Sequence, residues 1–243
     1  MRKEFYDMKI RSILVLVVMI VIFFSVAPLQ NYAVNIVQKY GDLLRGYDRN
    51  LLKNWNFYIY SQWFGKNFGQ LVPIIAIVFA FPLFSREYEN GTMEFLLTRK
   101  SRNRVFLEKL FTSLLVLIVE IAFLSILPAL YSLTFSKPLN YNLTWKFLIQ
   151  SEVGAILWFS VAFIASTFYD DQVKPVILSL GTLGITTAAG FIKPLRFLNT
   201  YTYILGTNIF KGNEVDVART VGFLVASLVL LYSSYWVFKR KEV

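Results

Sequence analysis

The sequence predicts an all-α membrane protein: six transmembrane helices with an N-terminal amphipathic helix, both termini cytoplasmic, in a single domain over 1–243. Composition is the first reason. Of 243 residues, 56% are hydrophobic and 16% charged, with a mean hydropathy of +0.52, whereas a domain that faces water carries about 25% charged residues. The second reason is a set of nearly uncharged runs long enough to cross about 30 Å of hydrocarbon, which takes roughly 20 helical residues. The third is where the bases fall. Fourteen of the 25 Lys and Arg lie in four short segments, 1–11, 86–109, 170–174 and 239–243, and bases gather on the cytoplasmic side of membrane spans.

Along the chain, residues 1–11 set Phe5, Tyr6 and Met8 among Arg2, Lys3, Lys9 and Arg11, the pattern of a short interfacial helix. The first span covers about 12–29. No small-residue cleavage signal follows its apolar run, so it reads as a retained helix rather than a signal peptide. In the outer loop, about 29–66, Leu51, Trp55, Tyr58, Ile59 and Trp63 recur at helical spacing. They predict an amphipathic helix at the outer interface, a depth that Trp and Tyr favour. The second span is about 67–85. The third and fourth, about 110–133 and 147–168, each hold one acid, Glu120 and Glu152. A carboxylate near a helix centre costs about 3 kcal/mol on insertion scales, and each Leu, Ile, Val or Phe offsets about 0.3–0.6. The apolar run around Glu120, from Leu114 to Leu127, is long enough to absorb that cost. The fifth span, about 175–192, is rich in small and hydroxyl residues, and Gly184 and Ala188 stand one turn apart, a spacing that lets helices approach closely. The sixth, about 218–238, ends on Lys239, Arg240 and Lys241.

Much chemistry is excluded. Cys and His are absent, which removes disulfides, thiolate nucleophiles, imidazole bases and Cys/His zinc sites. Neither a G-x-x-x-x-G-K-[ST] phosphate cradle nor a G-x-G-x-x-G turn occurs, so binding of ATP by a phosphate loop is not expected. The net charge of +10 reads as bases flanking spans, because no basic helix face interleaved with aromatics points to nucleic acid. No catalytic residue and no metal-ligating cluster is assigned.

One segment carries more information than the rest, the loop from Ser85 to Arg102. Asn90-Gly91 is a turn signal. Thr92 is a fair N-cap, and Glu94 falls in the first turn where it complements the helix dipole. Met93, Phe95, Leu96 and Leu97 then give a short, partly apolar helix. Such a helix suits docking on another protein or resting on lipid headgroups, and the physical pattern alone leaves both open.

This segment resembles the first cytoplasmic loop of the ABC-2 type permeases, the membrane subunits of ABC exporters. Their approximate pattern, E-x-x-x-G-[ST]-x-x-x-L-L-[ST], a turn, [ST]-R and a basic start to the next span, is matched by Glu87, Gly91, Thr92, Leu96, Leu97, Thr98, Ser101 and Arg102. Glu108-Lys109-Leu110 then opens the next helix. The proline usual in the turn is absent, and Arg99-Lys100 fills a turn one residue shorter. The resemblance also covers the plan of helices and the chain length. It implies a coupling loop over 86–109 whose helix, 86–97, docks on a separate ABC ATPase subunit through Arg86, Glu87, Glu89, Gly91, Thr92, Glu94 and Phe95. It further implies ATP and magnesium in that partner and no cofactor here, and a second permease copy or a paralogue completing a dimer. A plasma-membrane location and a substrate route lined largely by the second and fifth spans also follow from it. Candidate pathway residues are Glu120 and Glu152, because acids inside a bilayer are costly, with Thr182 and Thr186 of the fifth span. Two other classes compete, a membrane anchor for an assembly and a membrane-embedded enzyme. Against the enzyme, no span holds a paired-carboxylate, Ser/Lys or metal constellation.

Overall fold

Among the described residues, five stretches are long and apolar enough to cross a membrane: Met8–Val37, Trp55–Glu89, Arg102–Thr134, Tyr141–Phe168 and Val217–Arg240. They belong to a computed structural model that describes residues 2–40, 51–212 and 214–241. In chain order the helices are α1 Arg2–Val26, α2 Gln30–Tyr40, α3 Trp55–Gln62, α4 Phe68–Ala80, α5 Pro82–Glu89, α6 Thr92–Arg99, α7 Arg102–Thr134, α8 Tyr141–Phe168, α9 Val173–Ala189, α10 Tyr201–Ile204, α11 Thr207–Gly212 and α12 Val217–Arg240. No strand occurs among the described residues.

The segment expected as the fifth span, 175–192, is α9, an apolar helix of 17 residues that stops before Gly190. At 1.5 Å per residue it reaches only about 26 Å. The chain then turns through an exposed 3-10 segment, Lys193–Leu198, and continues along α8. Trp158 Nε1 donates to Thr200 Oγ1 at 3.1 Å, and the rings of Phe147 and Phe210 lie 5.1 Å apart. Gly206, at φ +71°, makes that approach possible, since a Cβ there would fall 2.3 Å from Phe147.

Two other expectations are corrected. Residues 1–11 do not form a separate interfacial helix: α1 runs unbroken from Arg2 into the first span, and the side chains of residues 2–5 lie outside the described part. Nor does the aromatic outer segment rest on a membrane surface. Stretch 41–50 of that loop lies outside the described residues, but Trp55, Tyr58, Ile59, Tyr60 and Trp63 are buried in the protein. Trp55 Nε1 donates to Ser132 Oγ at 2.8 Å, Trp63 Nε1 to the Leu124 carbonyl at 3.0 Å, and the Tyr58 hydroxyl to the Val26 carbonyl at 2.8 Å. The polar atoms of Trp55, Trp63 and Tyr58 thus each find a partner, which lets their large apolar bodies sit in the core. The segment is therefore the first half of a 35-residue helical run, Trp55–Glu89. That run is about 52 Å long and overshoots a hydrocarbon layer of about 30 Å.

The bundle has a basic end and a far end. At the basic end Gln172 Nε2 donates to Glu89 at 2.7 Å, Arg102 donates to the carbonyls of Phe238 and Lys241, and Lys241 Nζ donates to the carbonyls of Thr167 and Phe168. Met8 and Arg11 flank the same small cleft as Glu87 and Lys109. The segments 8–11, 86–109, 170–174 and 239–241 thus gather together. At the far end Gln30 Nε2 donates to the Leu52 carbonyl and Tyr60 to the Asn140 carbonyl. Helix α8 is central, packed against α4, α7, α9 and α12. Its small residues Gly154, Ala155, Ala162 and Ala165 are buried and allow that closeness. Helices α1 and α12 present exposed apolar faces, among them Val17, Val21, Val225 and Val229, as helices bordered by lipid do.

Candidate functional site

The loop expected to couple folds into a helical hairpin at the basic end. Pro82 starts α5, where its missing N–H costs nothing. The orphan N–H groups of the first turn, those of Phe84 and Ser85, donate to Ser166 Oγ on α8 at 3.0 and 3.2 Å. This fixes α5 to the central helix. The segment 86–97 is not one helix: α5 ends at Glu89, Asn90 and Gly91 turn, and α6 begins at Thr92. Gly91 has φ +66°, a left-handed conformation disfavoured for residues with a Cβ, and nothing lies within 4 Å of where a Cβ would stand. Its requirement is conformational, not one of space. Thr92 is the first helical residue rather than the cap. Its hydroxyl instead donates to the Glu87 carboxylate.

Glu87 is turned inward. It is 6% exposed and pairs at 3.3 Å with Lys109 of α7, itself 2% exposed. Its carboxylate is thus held inside the chain by Lys109 and Thr92, where a base on a partner's surface does not reach it in this conformation. Its part is to hold α6 against α7, with Met93 buried as the apolar anchor. The other assigned residues differ. Arg86, Glu94 and Phe95 are exposed, and the Arg99 guanidinium lies 4.1 Å from the centre of the Phe95 ring. Glu89 is exposed but engaged, accepting from the backbone and side chain of Gln172. That contact ties the hairpin to the corner leading into α9. In the same corner Lys174 donates to Asp171, which holds the Asp171 carboxyl below its ordinary range.

Lys109, Gln172 and Lys241 were not singled out by sequence, because each reads as an ordinary base or loop residue. Lys109 and Lys241 enter the sequence reading only as bases at the ends of apolar runs.

Among the described residues, the only hydrogen bond between candidate pathway residues runs along α9, from the Thr186 hydroxyl to the Thr182 carbonyl, and neither acid is part of it. Glu120 is buried and accepts from Ser12 of α1 at 2.6 Å, while its other oxygen has no hydrogen-bond partner among the described residues. Both carboxylate oxygens of Glu152 are buried without one. Thr182 and Thr186 donate to carbonyls of their own helix, at Leu178 and Thr182. Gly184 and Ala188, expected to pack closely, are exposed, and no atom lies within 4 Å of a Cβ built on Gly184.

Comparison with curated proteins and with solved structures finds no match. A family model described as ABC-2 family transporter protein matches residues 1–243. The match covers the whole length, including the hairpin, the central helix and α12, and the chain belongs to the ABC-2 family of transporter proteins.

Proposed function

We propose that this chain is the permease subunit of an ATP-driven exporter in the plasma membrane, with its basic end cytoplasmic and α6 docking on a separate ABC ATPase. The carrying observation is the eight-residue α6, held against α7 by the buried Glu87–Lys109 pair and Met93 while presenting Glu94, Phe95 and Arg99 outward. Members of this family generally work with ABC ATPases. The positive-inside rule assigns the basic end to the cytoplasm. With α9 and the segment leading to α11 counted as one crossing, the chain passes the bilayer six times. ATP and magnesium belong to the partner, and this chain supplies no catalytic group. The bare Gly181–Gly184–Ala188 face of α9 favours a second permease copy or paralogue, since small residues admit close helix approach.

Purification of the tagged chain in mild detergent tests this reading. The expected complex holds two six-crossing chains and an ATPase, with ATP hydrolysis abolished by ATPase-site substitutions alone. A single permease chain with no ATPase under conditions that preserve its fold would refute it. Intrinsic hydrolysis by the isolated chain would favour the membrane enzyme instead.

A further inference from the structure

Four bases meet where α12 ends, and they divide into two pairs. Arg102 and Lys241 turn inward. The Arg102 guanidinium donates to the Phe238 and Lys241 carbonyls at 3.2 and 2.6 Å. Lys241 Nζ reaches the Phe168 carbonyl at 2.9 Å and Asp170 at 2.6 Å. Lys239 and Arg240 turn outward. Lys239 Nζ lies 5.6 Å, and the Arg240 guanidinium 5.2 Å, from the centre of the Trp236 ring, and neither pairs with an acid among the described residues. Other bases at this end do sit beside acids: Lys100 and Arg104 share Glu108, and Lys174 pairs with Asp171.

Trp236 is 40% exposed, and the same face of α12 continues through exposed Tyr232, Val229 and Val225. An apolar track running into the membrane therefore ends on an indole with two cations above it that meet no acid among the described residues. Trp favours the depth of the headgroups, and bases at that depth attract anionic lipid. A zwitterionic headgroup would bring its own cation against Lys239 and Arg240. A protein partner at this position would leave the track below it uncovered.

We infer that the Trp236–Lys239–Arg240 end of α12 binds the headgroup of an anionic phospholipid, whose acyl chains lie along Tyr232, Val229 and Val225. The site stands on α12 alone and is independent of the coupling role of α6.

Native mass spectrometry of the full chain, with whatever subunits co-purify, tests it by titration with phosphatidylglycerol or phosphatidylcholine. The parent is expected to retain phosphatidylglycerol in preference. Lys239→Gln with Arg240→Gln should weaken that retention by roughly 25-fold, about fivefold for each base. Trp236→Leu, which keeps the helix apolar, should weaken it as well. Lys100→Gln with Arg104→Gln, an equal loss of charge beside Glu108, should leave it unchanged. Unaltered circular dichroism and elution show that each variant is folded, and Trp236→Leu carries the test if the α12 double variant is not. Four results would overturn the inference: equal retention of both lipids by the parent, undiminished retention by the α12 double variant, displacement by inorganic phosphate, or loss of a co-purifying subunit with lipid retention intact.

Discussion

Removing either member of the Glu87–Lys109 pair is expected to destabilise the protein far more than removing both. The two side chains are 6% and 2% exposed and lie 3.3 Å apart. Breaking such a pair leaves one buried charge uncompensated, at a cost of about 3–5 kcal/mol, whereas apolar replacement of both partners is often close to neutral. Glu87→Met and Lys109→Met should each lower the thermal midpoint in detergent, and the double variant should recover most of the loss. Additive effects of the two substitutions would contradict this. The singles should also loosen α6, because Thr92 at its start hangs from the Glu87 carboxylate.

The second large effect separates docking from folding. Phe95 is 57% exposed, beneath the Arg99 guanidinium. Its truncation should leave stability within about 0.5 kcal/mol of the parent, as surface substitutions do. If α6 seats in a groove of the ATPase, Phe95 has the properties of an interface anchor, an aromatic ring with an arginine across its face. Truncating such an anchor costs about 2–4 kcal/mol of binding, or roughly 30- to 1,000-fold in affinity. Titration of the purified ATPase onto permease in nanodiscs should show that loss for Phe95→Ala, with an unchanged melting midpoint. Glu94→Lys should weaken binding as well, through the wrong charge at the rim. Full affinity in both variants would leave α6 without a docking role.

Much of this architecture was legible because long apolar runs and clustered bases have few physical outcomes. The stretches Tyr141–Phe168 and Val217–Arg240 follow the expected spans closely, and the Asn90–Gly91 turn stands where the dipeptide placed it. What stayed hidden shares one cause: periodicity defines an apolar face but does not say what covers it. Trp55, Tyr58 and Trp63 would show the same spacing against lipid as against α7, and the hydrogen bonds to Ser132 and Leu124 that decide the matter join residues 77 and 61 positions apart. Glu87 read as a surface acid for a related reason, since its partner Lys109 lies 22 residues away across the hairpin. The early end of α9 was masked by the apolar residues beyond it. Phe191 and Ile192 extend the hydrophobic run but are exposed outside the helix.

The central claim is that α6 seats on a separate ATPase, and cross-linking tests it most directly. The chain has no cysteine, so Phe95→Cys introduces a single thiol at the exposed face of α6, and Asn142→Cys places one at the far end. In the purified complex, thiol cross-linking from Phe95→Cys should join the permease to cysteines scanned through one groove of the ATPase, with a yield that changes when nucleotide is added. Asn142→Cys should give no such product. If Phe95→Cys forms no cross-link to an ATPase that remains bound, or links as well as Asn142→Cys does, the ATPase docks elsewhere and α6 is not the coupling element.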